Sequence, residues 1–152
     1  MIAVDFEAYY DKDFSVTDLG PVKYANELIR LNKPPYLISI ASSGGLTYVG
    51  PLAQCPWEKF FIKDGIAAHN ASFDKAVFQA STDAGLAPKE WLSVPWYCTA
   101  DLAAFLQAPR SLAGASACLL GVKVSKDMRD KMKGRTFDSL SIEEKNSLLE
   151  YS

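Results

Sequence analysis

Two acidic residues lie two positions apart at the end of the apolar run that opens the chain. The run covers residues 1–7 and contains Asp5 and Glu7. Side chains alternate between the faces of a β-strand, so both carboxylates are predicted to project from one face, roughly 7 Å apart. Like charges at this spacing are unfavourable without a cation between them, and clustered carboxylate oxygens are the usual ligands of a hard divalent metal ion. The pair indicates a metal site, and a strand that ends in a polar turn is the alternative explanation.

A third acidic residue follows a short apolar stretch in the middle of the chain. The sequence HNASFD at residues 69–74 lies where a strand is predicted to meet a helix. Asn70 suits the N-cap position and Asp74 suits the first helical turn, so helix capping and the helix dipole alone would explain both residues. The two are also about one turn apart and are predicted to share a helix face. If this helix neighbours the first strand, three carboxylates converge.

The composition is that of an ordinary globular protein. The chain has 152 residues, of which 49% are hydrophobic and 22% charged, and its net charge is −2. This is enough chain for a sizeable core, and one domain over residues 1–152 is predicted. No apolar run approaches the roughly 18 residues of a membrane span, and the N-terminus lacks a signal-peptide pattern. A cytoplasmic protein with no membrane partner is expected.

The cysteine and histidine content disfavours several other chemistries. Cys55, Cys98 and Cys118 are widely spaced and odd in number, so neither a disulfide framework nor a zinc knuckle is supported, and all three are predicted to fill the core. The single histidine, His69, disfavours zinc hydrolase and histidine-triad chemistry. It is predicted to make local hydrogen bonds before the helix rather than to bind metal.

Basic residues are concentrated in residues 110–135, which contain seven lysines and arginines but only two aspartates. Two interpretations are open. The segment is either a solvated surface loop or a positive rim beside an acidic, metal-loaded cleft that binds nucleic acid. Nucleic-acid-binding domains are usually basic, but bound divalent ions would invert the local field of the carboxylates. The acidic net charge therefore does not exclude a nucleic-acid substrate.

A sheet and several helices are predicted to position these groups. Strands are predicted at residues 1–7, 36–41, 46–50, 65–68 and 96–98, with a turn at 42–45 that joins the second and third strands into a hairpin. Residues 9–35 are predicted to be irregular apart from a short helix at 22–31. Further helices are predicted at residues 56–62, 70–84, 99–105, 111–120 and from 141 to the end, with a loop or short helix at 88–95. Ser141 and Glu144 fit a capping box. The pattern predicts an α/β fold whose mixed central sheet of about five strands is flanked by helices, with the active site at strand ends and helix N-termini.

Three segments in order resemble the motifs of the 3′–5′ exonucleases of the Asp-Glu-Asp-Asp type, especially the proofreading domain of bacterial and phage family A DNA polymerases. They are VDFE at residues 4–7, HNASFD at 69–74, and residues 99–121 with PRSL followed by LLG. In the tyrosine subgroup the last motif is Tyr-x-x-x-Asp, and Tyr151 resembles its tyrosine. The chain ends before the aspartate, so the resemblance implies a fragment or truncation that lacks one metal-binding carboxylate. Two departures are Ala8, where many relatives have threonine, and Cys98, where aspartate is common.

The resemblance implies an RNase H-like fold and hydrolysis assisted by two divalent ions, Mg²⁺ or Mn²⁺, about 3.5–4 Å apart. It implies that Asp5 bridges the two ions and that Glu7 holds the ion that carries the attacking water. Asp74 is then expected to secure the second ion, and Tyr151 to orient the water.

The resemblance also implies a substrate and partners. The substrate is expected to be the 3′ end of single-stranded DNA, with Asn70 and Phe73 helping to hold the terminal nucleotides. A polymerase domain is expected after residue 152, and the location is the cytoplasm, or the host cytoplasm for a phage protein. Two alternatives are a catalytically incomplete nucleic-acid-binding or scaffold domain of the same fold, and a 3′–5′ exoribonuclease.

Overall fold

Five strands form one mixed sheet in the structure, a computed structural model that describes residues 1–124 and 131–151. The strands are β1 (Ile2–Glu7), β2 (Leu37–Ser42), β3 (Thr47–Gly50), β4 (Ile66–Ala68) and β5 (Trp96–Cys98). Their order is β3-β2-β1-β4-β5, in which β2 is antiparallel to both neighbours whereas β1, β4 and β5 are parallel. The predicted α/β fold with a mixed sheet of about five strands is confirmed, and the arrangement is consistent with an RNase H-like fold.

Helices flank this sheet. They are α1 (Val16–Leu19), α2 (Pro21–Arg30), α3 (Ala71–Asp83), α4 (Thr99–Phe105), α5 (Leu112–Ala115) and α6 (Ile142–Tyr151). Helix α3 packs on β1, β4 and β5, and α2 packs on α3. The predicted capping box of α6 is confirmed, because Glu144 N donates to Ser141 Oγ at 3.2 Å and Ser141 N donates to the Glu144 carboxylate at 2.9 Å. Within the described residues, no helix has the length and apolarity that a membrane span requires.

Two predicted segments differ from the structure. Residues 9–35 are not irregular outside the predicted helix, because α1 begins after Ser15, whose hydroxyl accepts from Asp18 N at 3.3 Å. The helix predicted at residues 56–62 is wrong, since only a 3₁₀ turn, Trp57–Lys59, forms there. The segment follows Pro56, and such short 3₁₀ turns are common connectors.

The predicted helix at residues 111–120 is divided. It begins as α5 and continues as a π-helical turn, Ser116–Leu120, which ends at Gly121 in the left-handed conformation with φ 69°. Cys118 lies in this turn and is exposed, which corrects the prediction that all three cysteines fill the core. The π-helical turn buries only Ser116, so the cysteine two positions later faces solvent.

The main core lies between α3 and one face of the sheet. Ile2, Val4 and Phe6 alternate with more exposed residues along β1 and are all buried. They pack with Phe78 of α3, whose ring stacks on Trp91 with 5.7 Å between ring centroids. Burial of each such side chain contributes about 1.5–3 kcal/mol. This face therefore fixes α3 against β1.

A second apolar cluster covers part of the opposite face of the sheet. It contains Leu37 of β2 together with Met132, Leu140 and Leu148, which all come from the last described segment. Leu37 is the antiparallel partner of Glu7, and directly opposed residues of such a pair project from the same face. The cluster therefore packs α6 onto the face of the sheet that carries Glu7.

Candidate metal centre

The two carboxylates of β1 project from one face, as the alternation of side chains predicts. Asp5 is exposed and Glu7 is partly buried, whereas the residues between and before them face the core. On one side, β1 pairs with β2 as far as Glu7. On the other side, its pairing with β4 runs only as far as Ala3 and Ala67. The end of β1 that carries the acidic residues therefore has one edge that β4 does not cover.

Asp74 lies at this uncovered edge. Strand β4 ends at Ala68 and α3 begins at Ala71, so the first turn of α3 is close to the point where β4 leaves β1. The backbone N–H of Phe6 donates to Asp74 Oδ1 at 3.2 Å, and the Asp74 side chain is fully buried. The structure thus brings Asp74 to the residue that lies between Asp5 and Glu7.

The second carboxylate oxygen of Asp74 has no hydrogen-bond partner within the described residues. A buried polar atom without a partner is costly, and a buried carboxylate more so. The pKa of Asp74 is raised well above its usual value, first because burial disfavours the charged form and then because the Asp5 carboxylate is close. The Phe6 N–H acts in the opposite direction, and Glu7 adds a further small increase.

The donor set fits a hard divalent cation. All three side chains offer carboxylate oxygens, which Mg²⁺ and Mn²⁺ prefer, and Asp74 Oδ2 is a buried oxygen without a partner among the described residues. However, in residues 1–124 and 131–151 no three acidic, histidine or cysteine side chains already form a metal-binding group. Asp5, Glu7 and Asp74 are therefore not arranged as a ready-made metal-binding group.

Asn70 and Phe73 lie beside this centre at the start of α3. Asn70 occupies the predicted N-cap position but has φ 67° and makes no capping hydrogen bond with its side chain. Asparagine tolerates this left-handed conformation better than most residues. Its side chain is exposed and accepts from Ser72 Oγ at 3.3 Å. Phe73 is partly buried, and its ring centroid lies 5.9 Å from that of Tyr24. A nucleotide-binding role of both residues stays a prediction.

His69 makes hydrogen bonds, as predicted, but its partners are distant in sequence and not local. Nδ1 lies 3.0 Å from Thr99 Oγ1, and Nε2 lies 2.8 Å from the carbonyl oxygen of Arg110. Both ring nitrogens are therefore occupied by protein partners. The imidazole connects the chain between β4 and α3 with the start of α4 and with the loop that contains Arg110.

Arg110 is a site residue that sequence reasoning did not single out. His69 Nε2 donates a hydrogen bond to the Arg110 carbonyl oxygen and so holds the Arg110 backbone next to the C-terminal end of β4. This is the side of the sheet at which the parallel strands β1, β4 and β5 all end. Its guanidinium is more than half exposed and pairs with Asp101 at 2.6 Å, which lowers the pKa of Asp101. Arg110 is part of the PRSL sequence at residues 109–112, which contributes to the resemblance to exonucleases, but no role was predicted for the arginine.

No known family model, curated protein or solved structure matches the chain. The resemblance of its motifs to those of exonucleases therefore stays a prediction.

Tyr36 is a second residue that sequence reasoning missed. Its backbone N–H donates to the Glu7 carbonyl oxygen at 3.0 Å, and its ring stacks on Phe137 with 6.3 Å between centroids. Burial, and secondarily the Glu7 carboxylate, raises its pKa, so the phenol stays neutral. Its predicted position as the first residue of the second strand gave no hint of this, because the cross-strand register decides which residue meets Glu7.

Two predictions fall wholly or partly outside the described residues. Tyr151 is the last residue of α6, and the structure describes its backbone but not its side chain. In the basic segment, Lys126 and Arg129 also lie outside them. Among the described members, Arg135 pairs with Glu144 at 2.7 Å. The choice between a solvated loop and a positive rim stays open.

Proposed function

We propose that the chain is a metal-dependent 3′–5′ exonuclease domain that hydrolyses phosphodiester bonds at the 3′ end of single-stranded DNA. The observation that carries this proposal is the placement of Asp74, fully buried against the end of β1 beside Asp5 and Glu7. Its Oδ2 has no partner among the described residues. A divalent cation would satisfy that oxygen and neutralise the like charges together.

A purely structural role explains less of this arrangement. A carboxylate in the first turn of a helix is favourable when it is exposed to solvent and close to the helix N-terminus. Asp74 is instead fully buried, and neighbouring carboxylates raise its pKa further. Such an arrangement is unfavourable whenever Asp74 is ionised and no cation is bound, and strongly shifted pKa values of this kind are concentrated at functional sites.

In the proposed reaction, Asp5, Glu7 and Asp74 hold two ions, Mg²⁺ or Mn²⁺. When bound, these ions activate a water, brace the scissile phosphate and stabilise the departing 3′ oxygen. The Phe6 N–H would fix the orientation of Asp74, since it donates to Oδ1 and leaves Oδ2 to coordinate a metal ion. Tyr151 is proposed to orient the attacking water.

The substrate strand is proposed to lie along the edge where β1, β4 and β5 end. Arg110 would contact a backbone phosphate, because its guanidinium is exposed and its backbone is held at this edge by His69. Phe73 would pack on the terminal base, and Asn70 would hydrogen-bond the terminal nucleotide through its exposed amide. We place this activity in the cytoplasm, with a polymerase domain as its partner.

A second candidate function is a non-catalytic nucleic-acid-binding or scaffold domain of the same fold. It is favoured by the absence, within the described residues, of a ready-made group of three metal ligands. Such a domain would bind single strands whether or not Asp5 is present.

Degradation of a 3′-labelled single strand in Mn²⁺ tests the proposal. The assay compares this chain with a version that continues α6 by one turn and places an aspartate four positions after Tyr151. Shortening of DNA from the 3′ end is expected in at least one version, and loss of at least about 10²-fold in rate is expected for Asp5→Ala. Asp83→Asn, an exposed change at the other end of α3, is the control. An RNA strand of the same sequence tests the exoribonuclease alternative.

Two outcomes would overturn the proposal. One is that neither version shortens DNA. The other is that Asp5→Ala shortens DNA as fast as the parent protein, because the reaction would then not depend on the carboxylate centre. Binding without cleavage, unaffected by Asp5→Ala, would support the scaffold function instead.

A further inference from the structure

We propose that Leu148 and Phe137 are positioning residues, which hold α6 on the carboxylate face of the sheet and thereby complete the proposed active site. This inference rests on the proposed function. It concerns the segment 131–151, whose described residues pack beside the end of β1 that carries Glu7.

The first attachment of this segment is the apolar cluster around Leu37. Leu148 is completely buried in it, together with Met132 and Leu140. Because Leu37 directly opposes Glu7 in the β1–β2 register, Leu148 belongs to a cluster that includes a side chain adjacent to Glu7 on the same face. Tyr151 is only three residues further along α6, so the packing of Leu148 sets where the end of the helix lies relative to Glu7.

The second attachment is at the chain immediately before β2 and after β1. The Phe137 ring stacks on Tyr36 with an interplanar angle of 16°, and Tyr36 N donates to the Glu7 carbonyl oxygen. Gly134 N donates to the Tyr10 carbonyl oxygen at 2.7 Å. Segment 131–151 therefore contacts both the residues that follow β1 and those that precede β2. Its packing beside Glu7 does not depend on Leu148 alone.

An ion pair within segment 131–151 links its two parts. The Arg135 guanidinium contacts both oxygens of Glu144, at 2.7 and 3.0 Å, and Glu144 also accepts from Ser141 N. Bidentate pairs of this kind fix geometry as well as charge. The Phe137 turn and α6 are thus linked to each other, so a shift at either attachment is passed to the end of α6.

The inference predicts a particular kinetic pattern. Asp5, Glu7 and Asp74 lie outside segment 131–151, so loosening of α6 leaves metal binding unchanged. A catalytic group that is misplaced by about 1 Å can lower a rate by about 10²-fold. Leu148→Ala is therefore expected to lower kcat by at least about ten-fold, with KM for the oligonucleotide and Mn²⁺ affinity within about two-fold of the parent values.

The experiment measures kcat and KM in whichever of the two versions described above is active. It measures Mn²⁺ affinity in the chain that ends at residue 152, in which the three carboxylates of the proposed centre all lie outside α6. Leu148→Met retains apolar volume and is expected to restore kcat to within about three-fold. The matched control is Ile142→Ala, an aliphatic truncation at a residue of α6 that is 79% exposed. Phe137→Leu, which removes the ring stack and keeps an apolar side chain, is the second test variant and decides the matter if Leu148→Ala does not fold.

The outcomes separate this inference from the proposed function. Loss of kcat alone in Leu148→Ala or Phe137→Leu supports the positioning role. Folded variants with the kcat of Ile142→Ala overturn it, as does a parallel loss of Mn²⁺ affinity, which a general structural defect would cause. If both parent versions lack nuclease activity, the proposed function itself fails.

Discussion

Replacement of Asp74 by asparagine should stabilise the metal-free protein and abolish its response to Mn²⁺. Asparagine is nearly isosteric with aspartate, and its Oδ1 can still accept from Phe6 N, which lies 3.2 Å from Asp74 Oδ1. The substitution removes a buried negative charge beside Asp5 and Glu7. It also provides an amide N–H₂ that can donate to a neighbouring carboxylate.

The direction of the gain follows from the raised pKa of Asp74, and its size follows from the burial of the carboxyl group. A carboxyl group with a raised pKa in the folded state stabilises the fold only below its unfolded value, near 3.8, and that contribution is lost as pH rises through the folded pKa. A buried polar atom without a hydrogen-bond partner, such as Asp74 Oδ2 among the described residues, costs about 1–3 kcal/mol, and more when it is charged. At pH 8 we therefore expect Asp74→Asn to gain at least about 1 kcal/mol without metal, or about 2–4 °C in Tm for a chain of this size.

Thermal unfolding at pH 8, in EDTA and in excess Mn²⁺, measures both effects. The parent protein should gain about 2.7 kcal/mol at a Mn²⁺ concentration 100 times its Kd, and Asp74→Asn should gain almost nothing. Asp83→Asn, on the exposed end of the same helix, should behave like the parent. If Asp74→Asn is less stable than the parent in EDTA and is still stabilised by Mn²⁺, Asp74 is not an unfavourably buried metal ligand.

Three further predictions concern other parts of the molecule. Arg110→Ala should weaken single-stranded DNA binding and reduce the slope of log affinity against log salt by about 0.7, as fluorescence anisotropy at several salt concentrations would measure. Arg135→Gln should return the pKa of the Glu144 carboxyl from about 2 toward 4.5, measured by NMR titration, because the guanidinium is the main cause of the low value. Phe78→Ala should destabilise the fold by about 3–5 kcal/mol in urea unfolding, whereas Phe61→Ala, at a ring that is 78% exposed, should change stability by less than about 0.5 kcal/mol.

Each of these predictions has a distinct contrary result. An unchanged salt slope in Arg110→Ala would mean that the guanidinium does not meet a phosphate. An unchanged titration of Glu144 would mean that its contact with Arg135 is not maintained in solution. The low pKa of Glu144 also fixes how stability depends on pH. The pair with Arg135 stabilises the fold above pH 4.5, and this contribution is lost as pH falls toward about 2. Equal destabilisation by the two phenylalanine changes would contradict the described core.

Local patterns predicted the elements of the fold well. Apolar runs bounded by turn residues placed the five strands within one or two positions, and helix α4 begins and ends at the predicted residues. The alternation along β1 was enough to predict that Asp5 and Glu7 share a face. The errors fall where the chain uses single turns, at α1 and at Trp57–Lys59, because one turn has too few residues for a periodic pattern.

Long-range contacts of the site were beyond local patterns. The sequence suggested that Asp74 is near β1, but its bond to Phe6 N depends on the pairing of β1 with β4, which ends at Ala3 and Ala67. The contact of Leu148 with Leu37 depends in the same way on the β1–β2 register. Neither register is encoded in one segment alone, since it is the joint result of packing on both faces of the sheet.

Titration of the protein with Mn²⁺, followed by the electron paramagnetic resonance signal of the free ion, tests the carboxylate centre most directly. We predict that the parent protein binds Mn²⁺ and that Asp5→Asn weakens this binding by at least about ten-fold, or about 1.4 kcal/mol. Asp74→Asn should weaken it by at least about 100-fold, or about 2.7 kcal/mol. Asp83→Asn should leave it unchanged. A parent protein that binds no Mn²⁺ at millimolar concentration, or equal binding by all four proteins, would contradict the account.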